Sequence, residues 1–347
     1  MNNRITSKSN VYKKLTLLLF IFTLFTCAQS NAEDTLNYVD LRTPPIKDGL
    51  NKVYMSIILN NVSEVNASSQ LIKADIVMTA RWFDPRLKHN EKGGRLEDPQ
   101  KIWGPFLTFS NRLNITKSFP EQVTILEDGT VLYTQRIFGD FTQNLHFREF
   151  PFDTQNFELR LIEISFNSND ISLEPDPEIR SGIGKNISLS DWKFEDWKLS
   201  KSEYAVIEGS QELPSLVFSI TAKRESGFYL LIFVIPLILI IMMSWIVFWL
   251  PPNLSASQIS VATTSMLTLI AYRFIVTSYL PRISYLTRMD IFILGSSILI
   301  FMTLVLAALS ANITAGGRGE LARKYDKRFR WIFPMLYIIV IIVALTA

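Results

Sequence analysis

Two kinds of hydrophobic pattern divide the chain. Up to about residue 225, apolar residues come in short runs that alternate with polar ones: Val53-Tyr-Met-Ser-Ile-Ile-Leu59, Asp75-Ile-Val-Met-Thr-Ala-Arg-Trp82, Val131-Leu-Tyr-Thr-Gln-Arg-Ile137 and Phe157-Glu-Leu-Arg-Leu-Ile-Glu-Ile164. A period of two over runs this short predicts half-buried strands, with Glu127-Asp-Gly-Thr130 as a turn between them. No long helical periodicity interrupts them, so the expected architecture is a β-sandwich. Beyond residue 225 the apolar pattern becomes continuous. No charged residue occurs over 226–272, 291–317 or 331–347. These stretches predict four membrane helices at about 228–249, 257–279, 289–311 and 331–346, the first containing Pro236.

Charge follows the same division. The formal net charge of +3 conceals −7 over residues 33–225, +6 over 226–347 and +4 before residue 33. The opening segment has Arg4, Lys8, Lys13 and Lys14, the apolar run Leu15–Phe25 and small residues at Ser30-Asn31-Ala32, the pattern of a secretory signal peptide over 1–32. Cys27, the single cysteine, would leave with it, and no disulfide is expected. Residues 33–225 then form an outer domain. Four spans return the C-terminus to the outside, and the basic segment 318–330 falls on the cytoplasmic side, as the positive-inside rule requires. The expected location is a cell (inner) membrane, multi-pass. The balance of charge does not suit a nucleic-acid binder.

Several ordered motifs then resemble one family. Arg81-Trp-Phe-Asp-Pro-Arg-Leu87 is similar to the Trp-x-Asp-x-Arg-Leu element of pentameric ligand-gated ion channels, the Cys-loop receptor superfamily. Ile102-Trp-Gly-Pro105 is similar to their Trp-x-Pro-Asp element, with Phe106 where Asp is usual. Asp128-Gly-Thr-Val-Leu-Tyr133 and Phe150-Pro-Phe-Asp-Thr-Gln155 resemble the strand before the signature loop and the loop itself. Animal members close that loop with two cysteines; the matching positions here hold Gln143 and Phe157, as in bacterial homologues. Arg224 before the first span and Leu280-Pro-Arg-Ile-Ser-Tyr285 after the second also fit. The resemblance implies an immunoglobulin-like all-β extracellular sandwich, 33–225, followed by an all-α four-helix transmembrane domain, 226–347. It implies a homopentamer in a lipid bilayer, a small-molecule agonist bound between subunits, inorganic ions as the permeant species, and no cofactor.

Periodicity in the second span supports this independently. Ser260, Thr264, Leu267, Ala271, Phe274 and Ser278 are spaced 4, 3, 4, 3, 4 and share one helix face. As a pore lining, Ser260 and Thr264 would offer hydroxyls to a partly hydrated ion, and Leu267, Ala271 and Phe274 would form dewetting rings. Against the family pattern, Ala256-Ser-Gln258 at the cytoplasmic mouth has neither the Glu of cation-selective relatives nor the Pro-Ala-Arg of anion-selective ones. The spacing of 250–258 resembles anion channels, while the acidic outer domain favours cations. The expectation is a cation-selective channel, with an anion-selective one as the alternative.

Carried over position by position, the agonist site falls on Val77 and Thr79, on Ser110, on Glu163, Ile164 and Phe166, and on Tyr204 and Phe218 flanking a hairpin loop, with Tyr133 on the facing strand. The aromatic set is incomplete; an amine is the expected agonist through cation–π contact. Protons are a second candidate stimulus, through His146 in the signature loop. Asp170, Glu174, Asp176 and Glu178 form an acidic run that suits Ca²⁺. Asp153 and Arg224 are expected to pair where sandwich meets membrane, with Phe152 and Pro281 relaying motion. The rivals are weaker. No nucleophile–base pair or metal cluster for an enzyme is legible, and a poreless sensor would not need the 260–278 stripe.

Overall fold

The computed structural model describes residues 40–46, 49–185, 187–279 and 283–346. The expected signal segment with Cys27, and Pro281, lie outside the described residues.

Twelve strands follow one another in the outer domain among these residues: β1 Asn51–Asn66, β2 Leu71–Phe83, β3 Arg95–Glu97, β4 Leu107–Phe109, β5 Arg112–Lys117, β6 Val123–Ile125, β7 Thr130–Thr142, β8 Thr154–Glu163, β9 Ile171–Pro175, β10 Gly182–Ile183, β11 Trp192–Tyr204 and β12 Leu213–Arg224. One sheet runs β10-β1-β2-β7-β6-β3, with β5 added to β7 and β9 to β1; the other runs β11-β12-β8-β4. Alternation decides what lies between them. Val53, Met55, Ile57 and Leu59 of β1 and Ile72, Ala74, Ile76 and Met78 of β2 are buried, as are Leu159 and Leu161 of β8 and Leu216, Phe218 and Ile220 of β12. Side chains two apart share a face, so each strand turns one apolar row inward. The four alternating runs of the sequence are β1, β2, β7 and β8.

The motif residues 81–87 turn out to build structure. The Asp84 carboxylate accepts bonds from Arg86 Nε at 2.8 Å and Nη2 at 2.7 Å and from the Arg86 backbone N–H. Gly129 packs against this turn with φ of +92°, and a Cβ there would sit 2.5 Å from the Asp84 carbonyl oxygen. Only glycine satisfies both demands.

The signature loop passes from β7 in one sheet to β8 in the other, and it is closed without sulfur. The Gln143 side chain donates to the Glu158 carbonyl at 3.1 Å and accepts from the Glu158 N–H at 2.8 Å. Phe157 is buried against Trp192, ring centroids 5.3 Å apart. A reciprocal amide bridge and a buried ring thus hold positions 143 and 157 together.

Among the described residues, four helices long and apolar enough to cross a membrane follow: α1 Gly227–Trp249, α2 Ser255–Tyr279, α3 Arg288–Ala315 and α4 Gly319–Thr346. In α1 a π-turn spans Leu230–Val234, just before Pro236, whose missing N–H cannot continue the ordinary ladder. The fourth helix starts at Gly319, twelve residues before the position expected from hydropathy. The basic segment is helical because it is amphipathic: Ala322, Asp326 and Phe333 are buried along one face, and Arg323, Lys324, Lys327 and Arg328 are exposed on the others.

Phe157→Ala should cost about 3–5 kcal/mol by leaving a cavity. Gln143→Ala should cost about 1–3 kcal/mol, for the Glu158 N–H left without its acceptor, while the Glu158 carbonyl keeps the Asn111 side-chain donor at 2.7 Å. Thermal unfolding of the purified chain checks both; no change for Gln143→Ala would show that the amide bridge closes nothing.

Candidate functional site

Arg224 ends β12 at the boundary between sandwich and helices. Its Nε donates to Asp153 Oδ1 at 2.7 Å and its Nη2 to Oδ2 at 3.1 Å; the two side chains are 3% and 2% exposed. A third donor, Nη1, reaches the Tyr229 hydroxyl at 3.1 Å. The guanidinium lies 4.2 Å from the Trp192 ring centroid, 5.1 Å from Phe150 and 5.3 Å from Tyr229. Burial works against its charge, but the bond to Asp153 and the nearby charge more than offset it and raise the Arg224 pKa. The arrangement ties three segments together: the signature loop through Asp153, β12 through Arg224 and the first turn of α1 through Tyr229. The expected pair is present. The aromatic walls were not foreseen, because Trp192 meets Arg224 only through strand pairing.

The same loop also touches the segment after α2. The Phe147 N–H donates to the Tyr285 hydroxyl at 3.0 Å. Arg288, the first residue of α3, donates to Glu149 at 3.0 Å and, from its backbone, to the Arg148 carbonyl. Thr287 and Asp290 cap α3 reciprocally. Phe152 borders an apolar cleft with Leu230 and Val234 of α1 and Met289 and Phe292 of α3. Pro281, the fourth expected coupling residue, lies outside the described residues.

The expected ligand residues separate into groups. Val77 and Thr79 lie on the outer face of β2, where Thr79 meets Thr134 hydroxyl to hydroxyl at 3.2 Å. Tyr133 pairs with fully buried Ala80 and so points to the other side of that sheet. Its hydroxyl donates to Glu121 at 2.8 Å, with Lys117 donating to the same carboxylate and lying 5.9 Å from the Tyr133 ring. On the second sheet, Ser110 donates its N–H to the Arg160 carbonyl, and the Arg160 guanidinium stands 5.8 Å from the Tyr204 ring. Ile164 is exposed, while Phe166 packs against Trp103, centroids 6.1 Å apart.

Two expectations are corrected. Phe218 is fully buried against Trp197, ring centroids 5.6 Å apart, because its position in β12 faces the sandwich interior. Glu163 is also fully buried, and its carboxylate accepts backbone N–H groups of its own domain. Sequence reasoning missed Arg160, Lys117 and Glu121, whose contacts cross between strands or loops. It also missed Glu212, whose pKa is raised by hydrogen bonding with Glu203 across the hairpin loop.

The Ca²⁺ expectation is overturned. Arg81 takes both oxygens of Asp176 at 2.8 and 3.0 Å and reaches Glu178 at 3.0 Å. Glu174 faces Lys52 at 3.5 Å. Among the described residues no three His, Cys, Asp or Glu side chains converge as a metal site needs. His146 is exposed in the signature loop and His89 bonds the Ile125 carbonyl at 3.0 Å; the two occupy different places.

In α2, Gln258, Ala262, Ser265, Leu269, Tyr272 and Val276 are buried against the chain's own bundle. Ser260, Thr264, Leu267, Ala271, Phe274 and Ser278 repeat the same spacing two residues on, about 200° around the helix, and all six are exposed. Leu267 is 62% and Phe274 76% exposed. The Thr264 hydroxyl donates to the Ser260 carbonyl at 2.8 Å, and Thr268 to Thr264 likewise, which leaves their oxygens free to accept. Gln258, taken from sequence as a mouth residue, is buried and donates to the Leu250 carbonyl at 3.0 Å and to Asp326 at 3.3 Å.

Comparison with known proteins follows this geometry. Residues 30–226 match the neurotransmitter-gated ion-channel ligand binding domain, and residues 233–324 match the neurotransmitter-gated ion-channel transmembrane region. The chain is similar to the gamma-aminobutyric acid receptor subunit epsilon of Rattus norvegicus, 25% identical over 285 residues, covering 78% of this chain and 54% of that protein. It therefore spans about half the length of that relative.

Asp153→Ala or Arg224→Ala should each destabilise the junction by about 3–5 kcal/mol, since each strands a buried charge. Exchange of the two, Asp153→Arg with Arg224→Asp, should recover only part, because the three rings would then face a carboxylate. Thermal unfolding checks the energies; full recovery on exchange would show that the rings add nothing.

Proposed function

The chain belongs to the neurotransmitter-gated ion-channel family, and on that footing we propose that it is a ligand-gated ion channel that works as a homopentamer in a cell membrane. The agonist binds at subunit interfaces of the outer domain, and α2 lines the central pore. One observation carries the pore assignment: α2 has a face its own bundle does not cover, and that face has hydroxyls at Ser260 and Thr264, apolar side chains through its middle at Leu267, Ala271 and Phe274, and a hydroxyl again at Ser278. A helix surrounded by lipid has no use for hydroxyls at Ser260 and Thr264. Repeated around an axis, Leu267 and Phe274 would make apolar rings roughly 10 Å apart, a barrier that water and ions do not cross until the helices move apart.

The agonist assignment rests on the exposed or half-buried residues Val77, Thr79, Ser110, Ile164, Phe166 and Tyr204. These lie on two different sheets, so one subunit's first sheet and its neighbour's second sheet together would complete a site. A small molecule bearing an ammonium group fits an aromatic-lined site. Gamma-aminobutyric acid, named in the relative, bears such a group. A preference for cations is supported by the −7 charge of residues 33–225, which raises local cation concentration above the pore. Motion reaches the pore through the signature loop. The loop holds α1 through Asp153–Arg224–Tyr229 and α3 through Glu149–Arg288, so a rigid shift of the sandwich pulls on helix tops.

Cysteine scanning tests the pore, since Cys27 is the one native cysteine. On a Cys27→Ser background, cysteines at 260, 264, 267, 271, 274 and 278 should react with charged thiol reagents from the aqueous phase, and those at 262, 265 and 269 should not. Equal labelling of both sets would sink the assignment. Leu267→Ser should shift agonist concentration–response curves to lower concentration in membrane recordings. Reversal potentials in asymmetric salt should follow the cation gradient; potentials that follow chloride would make the pore anion-selective.

A further inference from the structure

Glu163 stands at the end of β8 with no exposed surface. Its Oε1 accepts the Phe106 N–H at 3.1 Å and the Ser165 N–H at 3.1 Å; its Oε2 accepts Ser165 at 3.1 Å and the Phe166 N–H at 2.6 Å. Phe106 belongs to the segment between Trp103 and β4, whereas Ser165 and Phe166 open the segment between β8 and β9. One carboxylate therefore joins two loops that meet far apart in sequence. The Ile164 N–H adds a backbone tie to the Phe106 carbonyl, and the Trp103 and Phe166 rings pack together. Those loops carry Ile164 and Phe166 of the proposed agonist site and lead into Ser110.

Its surroundings are unusual for a carboxylate. The strands beside it contribute no charge: Leu107 of β4 pairs with Glu163 itself, and Ser215 of β12 pairs with Ile162. Burial pushes the Glu163 pKa up, and the groups that oppose it are the backbone N–H groups of Phe166, Ser165, Phe106 and Ile164, with no basic side chain among them. An ionised carboxylate suits this cradle because it only accepts. A protonated one turns an oxygen into a donor facing N–H groups, and one of the three loses its partner.

We propose that Glu163 is a positioning residue that latches the Phe106 and Ser165–Phe166 segments together when ionised and frees one of them when it takes up a proton, so that acid alters the ligand response of this domain. The inference rests on the agonist site proposed above and adds its regulation. The sign follows from the direction of the shift. A raised folded-state pKa means that protonation begins at higher pH than for an exposed Glu. The accompanying relief of the buried charge is present in full at low pH and is lost as pH rises through the folded value. Acid thus loosens the loops without weakening the domain as a whole, a combination that a purely structural hydrogen bond would not produce.

Glu163→Gln imitates the protonated, uncharged form. Hydrogen exchange on the full chain in detergent reads the latch directly, without agonist. At neutral pH, peptides containing Phe106 and Ser165–Phe166 should exchange about fivefold more slowly in the parent than in Glu163→Gln, the worth of one hydrogen bond. As pH is lowered through the raised Glu163 pKa, the difference should close. Equal exchange at neutral pH, or a gap that persists unchanged in acid, overturns the proposal. Concentration–response curves for γ-aminobutyric acid and n-butylamine form the second arm. A pH shift present in the parent and missing in Glu163→Gln supports the regulation. A latch seen by exchange while responses to an effective amine ignore pH overturns the regulatory role, and no response to any amine with the latch intact counts against the agonist site instead.

Discussion

Arg224 holds its charge where almost no water reaches it, and the junction between the two domains is organised around making that tolerable. The Asp153 carboxylate supplies the countercharge in a two-bond geometry, Tyr229 takes a further donor, and Trp192, Phe150 and Tyr229 present ring faces to the cation. The partners come from three segments besides Arg224's own strand, so the charge can be satisfied only when signature loop, β11, β12 and α1 are correctly placed. Breaking such a cluster strands a charge, whereas keeping it yields modest net stability. Its value lies in specifying one geometry across the boundary.

A second constraint acts on α2, which must satisfy two environments at once. One face interlocks with α1 and α3 through Ala262, Ser265, Leu269 and Tyr272, and Tyr272 donates its hydroxyl to the Phe233 carbonyl. That carbonyl lies in the π-turn before Pro236, so the contact ties α2 to the irregular part of α1. The opposite face is left for whatever surrounds the axis. At its first turn, Gln258 anchors the helix to Leu250 and Asp326, so the start of α2 is held by the loop before it and by α4.

How much was legible before folding depends on the range of the interaction. The alternating runs 53–59, 75–82, 131–137 and 157–164 read as strands because side-chain direction is set by the nearest neighbours. The uncovered stripe of α2 was legible for the same reason. Basic residues hid the first turns of α4, because hydropathy registers the mean of a window and an amphipathic turn with Ala322 and Asp326 inside averages to polar. Phe218 and Glu163 are expected as ligand contacts because the family resemblance carries an agonist site onto their positions. Which face each side chain took depended on the register of β12 against β8 and on the route of the 103–106 segment. Asp176 looked like a metal ligand until Arg81, ninety-five residues away, proved to occupy it.

By itself, the sequence determined the two-domain order, the membrane spans, the sign of charge on either side and the two faces of α2. These are properties of local period and composition, and they hold whatever the chain packs against. Only the tertiary structure decided which acids are free and which are spoken for, how a loop lacking cysteines stays closed through Gln143 and Phe157, and that Glu163 faces inward to join two loops. Those outcomes depend on partners brought together by strand pairing and helix packing, and a buried polar group takes its role from the few atoms it finds within hydrogen-bonding reach.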